Sequence, residues 1–228
     1  MSKGAAHAGP ILGPEDFIRG FGVSRETIER LETYAALLTQ WQKAVNLVAP
    51  KTLAEIWHRH FADSAQLVRH AVPKGRIVDL GSGAGFPGLV LAILWRTSLL
   101  EGVLSFTLIE ADQRKAAFLR EAARTTGVPV DIVSTRIEDH ATQINVENAD
   151  VVTARALAPL SRLLELATPL AAPDATFLFL KGRTAADEVG EAAKTWDFQS
   201  RLFVSATDPE GRVVALRDVR PKTRGKRP

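Results

Sequence analysis

Arg76-Ile77-Val78-Asp79-Leu80-Gly81-Ser82-Gly83-Ala84-Gly85-Phe86-Pro87-Gly88 is the stretch from which the rest of the chain can be read. Ile77, Val78 and Leu80 give a short buried strand its apolar, largely β-branched character. Gly81, Gly83, Gly85 and Gly88 then fall within eight residues, and the apolar run Leu89–Trp95 follows at helical length. Strand, glycine loop and helix together predict a nucleotide-type site. Glycine lets the backbone approach a ligand closely, and the free N–H groups of the helix's first turn face the loop.

The spacing Gly83-x-Gly85-x-x-Gly88 also satisfies the dinucleotide fingerprint, so an NAD-dependent oxidoreductase is one reading. Asp79 opposes it. A carboxylate at the strand's end, two residues before Gly81, repels a pyrophosphate lying in the loop. S-adenosylmethionine carries an ammonium and a sulfonium, and the same carboxylate suits both. The methyl donor is therefore the expected cofactor.

With 46% hydrophobic and 24% charged residues, the 228-residue chain has the composition of a protein that buries a real core. Its length accommodates one α/β domain with an extension, or two small domains. The absence of cysteine excludes disulfides and thiolate metal sites and fits a reducing compartment. No apolar run reaches membrane-spanning length and the start lacks a signal-peptide core, so a cytoplasmic protein without membrane contact is expected. The charge is unevenly placed. Arg217–Pro228 holds six Lys/Arg against one Asp, which leaves the rest of the chain slightly acidic. Such a tail reads equally as a phosphate-backbone contact or as a solvated end.

Residues 1–14, rich in Gly, Ala and Pro, are expected to be mobile. Residues 15–73 read as a helical extension packed on the core. Phe17, Ile18 and Phe21 open it, then Ser24 caps a stripe of Ile28, Leu31, Tyr34, Leu38 and Trp41. A further helix is predicted from Thr52 to His70, with Glu55 closing a capping box. Residues 74–219 alternate as a doubly wound domain, and 220–228 form the basic tail. Strands are expected at Leu104–Ile109, Val130–Val133, Asp150–Thr153 and Thr176–Leu180. The helices between and after them fall at Gln113–Thr126, Leu160–Leu170 and Ala185–Lys194. Gln199–Ser205 and Arg212–Asp218, joined through Asp208-Pro209-Glu210-Gly211, form a terminal antiparallel hairpin.

Open α/β sheets bind ligands at the carboxyl ends of their strands, and several side chains fall there. Glu110 ends the second strand, where a carboxylate accepts both ribose hydroxyls of an adenosine; its plain alternative is a helix-start acid. Glu138 follows the third strand with Ile137 beside it, near an adenine. Arg155, set among small residues, follows the fourth. Lys181 ends the apolar fifth strand, where it meets a phosphate or a base or merely closes the strand.

At these residues the chain resembles the glucose-inhibited division protein B family, RsmG. The likeness rests on Trp41…Asn46-Leu47-Val48, Arg59-His60-Phe61-Ala62-Asp63-Ser64, the stretch Asp79–Gly88, Arg114-Lys115-Ala116-Ala117-Phe118-Leu119, Thr153-Ala154-Arg155-Ala156 and Leu180-Lys181-Gly182. It covers residues 15–219. The resemblance implies a class I S-adenosylmethionine-dependent methyltransferase: a Rossmann-like α/β fold with a seven-stranded, mostly parallel sheet and a helical extension. The implied reaction methylates guanine N7 in bacterial 16S ribosomal RNA, releasing S-adenosylhomocysteine and using no metal. The partner is then ribosomal RNA or a small-subunit precursor, and a monomer is expected. Carried across residue by residue, Asp79, Gly81, Gly83, Gly85, Phe86, Glu110, Ile137, Glu138 and Arg155 belong to the methyl donor. Asn46, His60, Asp63, Arg155, Lys181 and Arg212 face the RNA. Two features depart from the family's pattern: a longer segment at Thr97–Gly102, and Arg217 where a lysine is expected.

No nucleophile–base pair stands out, and none is required. Guanine N7 offers an in-plane lone pair and holds no proton, so in-line attack on a sulfonium methyl needs no general base. Arginine commonly takes guanine O6 and N7 together, which would block N7. Arg155 or Lys181 is therefore expected to donate to O6 or to a phosphate. His60 completes the trio assigned to catalysis as a hydrogen-bonding group in the helical lid. Asp63, three residues on, either orients it or simply lies on the same helix face. His58 and His60 point to different faces and no third ligand lies near them, so no metal is expected. A methyltransferase acting on a small molecule or a protein is the remaining alternative.

Overall fold

The glycine-loop strand lies at the middle of the sheet. In the computed structural model, which describes residues 9–70, 75–96, 100–139, 142–143 and 146–222, β1 spans Gly75–Leu80 and is buried from Ile77 to Leu80. It pairs in parallel with β2 (Leu104–Ile109) on one side and β4 (Ala149–Arg155) on the other. With β3 (Asp131–Val133), β5 (Ala171–Lys181), β6 (Trp196–Val204) and β7 (Arg212–Pro221), the order is β3-β2-β1-β4-β5-β7-β6. Only β7 is reversed, pairing antiparallel with both β5 and β6. Strand order changes direction between β1 and β4, and such a switch point opens a crevice at the strands' carboxyl ends.

Helices on both faces produce two cores. On one face Ile77, Leu108 and Leu178 pack with Phe17, Leu31, Tyr34, Phe61 and Leu67, so the N-terminal helices share a core with the sheet. On the other, Val78, Leu80, Val152 and Phe179 pack with Leu163 and Leu164. The alternation along β1 puts Ile77 and Asp79 on the face of the N-terminal helices.

Local signals place most boundaries. Pro14 begins the helix Pro14–Phe21, and Ser24 Oγ accepts from Thr27 N–H to cap Arg25–Trp41. Asp112 caps Gln113–Thr126, which ends on left-handed Gly127. The helix after the glycine loop runs Gly88–Leu94; those following β4 and β5 run Leu160–Ala167, with a 3-10 turn to Leu170, and Ala185–Ala192. β4, β5, β6 and β7 are longer than predicted, and Arg155 is the last residue of its strand, because neighbours extend the ladder beyond the apolar runs.

The helix predicted from Thr52 is corrected. Pro50, with its fixed φ and no N–H to leave unpaired, starts a short helix Pro50–Leu53 two residues earlier. Thr52 forms no capping box with Glu55, because its hydroxyl donates to Ala49 O. The chain then winds as a π-helix over Trp57–Ala62, an α-turn over Asp63–Ala65 and a 3-10 turn over Gln66–Arg69. The expectations for a mobile start and a basic tail fall largely on residues 1–8 and 223–228, outside the described residues, as does part of the Thr97–Gly102 segment.

Candidate functional site

The loop after β1 is a cradle that only glycine can form. Gly81, Gly83 and Gly85 have φ of 62°, 57° and 95°, in the region L side chains avoid. A Cβ on Gly85 would lie 2.5 Å from the Tyr34 hydroxyl and 2.9 Å from Leu89 Cβ. Tyr34 reaches the loop from the helical extension and donates to Ala84 O. Burial raises its pKa well above the usual phenol range, so it stays a donor.

Glu110, 9% exposed, closes the cradle at the end of β2. Its Oε2 accepts from Gly83 N–H and its Oε1 from Asp112 N–H, both at 2.8 Å. Each oxygen keeps a second lone pair for a ribose hydroxyl. Ile137 is buried against the second core. Glu138 is half-exposed and pairs with Arg162 at 3.1 Å.

Asp79 does not face a ligand, and here the expectation is corrected. Its side chain is 0% exposed. Oδ1 accepts from Thr153 Oγ1 at 2.7 Å and Oδ2 from Gly88 N–H at 3.2 Å. The strand's alternation turns it beneath the start of the following helix, so closely that a Gly88 Cβ would sit 2.8 Å from Oδ2. Burial pushes its pKa up to about 6, against the hydrogen bonds from Thr153, Ser82 and Gly88. Asp79 braces the cradle from below.

Arg155 is the hub of the site. Its guanidinium lies 4.9 Å over the Phe86 ring, whose other contacts include the stacked imidazole of His60 at 4.8 Å. Nη1 donates to Asp63 Oδ2 (3.3 Å) and Arg59 O (3.1 Å), and Nη2 lies 3.0 Å from His60 Nδ1. Arginine only donates, so Nδ1 accepts and the imidazole proton is on Nε2. That N–H meets Thr52 Oγ1 at 2.9 Å, a hydroxyl already donating to Ala49 O. Burial, then the charges of Arg155 and Arg59, lower the His60 pKa to about 3. His60 is a neutral positioning group with both nitrogens engaged. Asp63 orients Arg155 rather than His60; its Oδ1 accepts from Thr207 Oγ1 (2.8 Å) and Gln66 Nε2 (2.9 Å).

These groups border a cavity of about 580 Å³, lined also by Arg59, Leu157, Lys181 and Arg212. Lys181 donates to Ala158 O at 2.7 Å and pairs with Glu188 at 2.6 Å. Glu188 also accepts from Leu160 N–H, so β5 and the loop after β4 are tied together. Arg212 donates to Pro209 O and Gly211 O. Asn46 stands apart, exposed, and bonds Gln42 at 3.4 Å. Leu157 separates cavity from cradle: its Cδ1 lies 2.6 Å from where a Gly81 Cβ would be. Sequence reasoning missed the roles of Tyr34, Thr52, Leu157, Glu188 and Thr207. Only Leu157, directly after the motif Thr153-Ala154-Arg155-Ala156, carried a local signal. Among the described residues no three His, Asp or Glu side chains gather as a metal site, and no helix is long and apolar enough to cross a membrane.

The sheet order, the reversed β7 and the glycine cradle with a carboxylate at the end of β2 define a class I S-adenosylmethionine-dependent methyltransferase fold. Solved structures agree. The chain is similar to a TehB-like SAM-dependent methyltransferase from Corynebacterium glutamicum (TM-score 0.55, 14% identity, 82% of this chain and 98% of that one). It is also similar to a SAM-dependent methyltransferase from Aquifex aeolicus (TM-score 0.53, 14% identity, 75% and 95%). The particular family follows from sequence. Residues 27–212 match the GidB model, described as rRNA small subunit methyltransferase G, and the chain belongs to that family. It is 51% identical to the ribosomal RNA small subunit methyltransferase G of Rhodospirillum centenum over 215 residues (93% of this chain, 94% of the relative). It is 51% identical to that of Paramagnetospirillum magneticum over 209 residues (91% and 97%).

Proposed function

We propose that this chain transfers a methyl group from S-adenosylmethionine to guanine N7 in small-subunit ribosomal RNA. The observation that carries the reading is the position of Arg155, between the Phe86 end of the glycine cradle and a cavity bordered by further cations. The residues present fit the methyl donor. Gly83 leaves open backbone in the cradle, and Glu110 holds two oxygens with free lone pairs at its edge. When bound, S-adenosylmethionine supplies a methyl made electrophilic by its sulfonium.

The chain's own part is alignment. Arg155 is fixed by three partners on the helical segment, the Arg59 carbonyl, His60 and Asp63, and by the Phe86 ring of the glycine loop, which it covers. A guanidinium so held presents its remaining N–H edge in one orientation, suited to guanine O6 or a phosphate, leaving N7 free. Lys181 keeps one of its three N–H donors beyond Ala158 and Glu188 for the same purpose. No residue removes a proton. His60 is neutral with its lone pair occupied, and guanine N7 has no proton to lose. Positioning of two reactants accounts for roughly 7–11 kcal/mol of barrier in well-aligned reactions, and exclusion of water adds to it. Arg155→Ala tests the role: methyl transfer to small-subunit RNA should fall by at least about a hundredfold. Unchanged transfer with normal RNA affinity refutes it.

A further inference from the structure

A second cavity, of about 330 Å³, lies on the sheet face that carries the N-terminal helices, where those helices stop short of β6 and β7. Its floor is Arg201 and Phe203 of β6 with Arg217 of β7, and its wall is Arg69–His70 at the end of the helical segment. Gln199 stands opposite Arg217 and Arg201 opposite Ala215, so these side chains share one face. We propose that this groove binds a single-stranded phosphodiester segment of the RNA flanking the target guanine; the assignment rests on the function proposed above.

Charge is the first argument. Three guanidiniums line the groove and no carboxylate does. Among the described residues Arg201 and Arg217 form no ion pair. The neighbouring carboxylate, Asp218, accepts from Gln199 at 2.7 Å. Unopposed like charges repel one another, and a polyanion relieves that repulsion. The guanidinium fork matches phosphate oxygens in particular.

Aromatic surface is the second. His70 stacks on Phe203 with ring centroids 4.2 Å apart, and Arg69 lies 5.7 Å over Phe21. Burial and the Arg69 charge lower the His70 pKa, keeping the ring neutral for stacking. Cations interleaved with ring faces are how unpaired nucleotides are held.

Continuity with the central cavity is the third. Ser205 lines that cavity and Phe203 lines the groove. Ser205 immediately follows the last residue of β6 and lies two residues from Phe203, about 7 Å along the chain. The two openings are therefore neighbours, and an RNA strand joining them passes outside the buried Gln66 side chain that bonds Ser205 and Ala206.

The test compares wild type, Arg201→Ala/Arg217→Ala and Arg201→Lys/Arg217→Lys in binding small-subunit RNA across a salt series, with methyl transfer measured alongside. The alanine pair should raise Kd roughly tenfold and flatten the log–log salt slope by about 1.4 to 1.8, two phosphates' worth, with the melting temperature unchanged. The lysine pair should keep the wild-type slope. Equal Kd and slope in wild type and the alanine pair overturn the groove. Polyglutamate competing as well as oligouridylate overturns the RNA assignment in favour of an acidic peptide. Wild type that binds RNA with the predicted slopes but transfers no methyl refutes the proposed reaction and leaves the groove supported.

Discussion

Lowering the pH from 7 to 5 probes the Arg155 hub and the cradle beneath it through two buried groups of opposite sign, His60 and Asp79. His60 titrates near 6.5 in an unfolded chain and at about 3 when folded. Below pH 6.5 the unfolded chain takes up a proton that the folded one refuses, so stability falls with pH at up to about 1.4 kcal/mol per unit. At pH 5 the loss is about 2 kcal/mol. Asp79 runs the other way. Its folded pKa of about 6 exceeds the ordinary 3.8, so the folded chain is protonated first and gains about 1 kcal/mol at pH 5. Wild type should therefore lose only about 1 kcal/mol from this pair. Asp79→Asn removes the gain and should lose about 2 kcal/mol between pH 7 and 5. His60→Gln removes the loss, so its stability relative to wild type should improve on acidification. Urea unfolding at pH 7, 6 and 5, at fixed ionic strength, reads all three slopes. An Asp79→Asn protein whose stability follows the wild-type pH dependence would refute the raised Asp79 pKa, and a His60 resonance titrating near pH 6.5 would refute the buried, neutral imidazole.

Other expectations test the cradle and the hub separately. Gly85→Ala should cost about 3 kcal/mol in urea unfolding, from its positive φ and the Tyr34 and Leu89 contacts, whereas Gly83→Ala, open to 3.9 Å, should cost about 1 kcal/mol. A double-mutant cycle between Asp63→Asn and Thr207→Val should give a coupling of about 1 kcal/mol, since their hydrogen bond ties the β6–β7 turn to the helical segment. Arg155→Lys keeps the charge but loses the fork and the plane over Phe86, and should lower kcat by at least about tenfold in a labelled-methyl assay.

What was legible in the sequence follows the range of the forces involved. Gln113–Thr126 was placed to the residue, because Asp112 and Gly127 mark its ends locally. Glu110 was legible at the end of β2, since apolar alternation fixes where that strand stops. The direction of Asp79 was misjudged although Ile77, two residues earlier, shares its face; alternation gives the face but not the helix that covers it. The contacts of Arg155 with Asp63, of Asp63 with Thr207 and of Tyr34 with Ala84 join residues far apart in the chain. Nothing local encodes them. Thr52 misled for a related reason: its hydroxyl suited a cap, and Pro50 and His60 claimed the segment first.

The central claim is that these side chains align guanine N7 of small-subunit RNA with a sulfonium methyl. Mapping N7-methylguanine across the small-subunit RNA of cells with and without this protein tests it most directly. The account predicts one N7-methylguanine present with the chain and lost without it. An unchanged map, or a lost methyl on another atom, would contradict it.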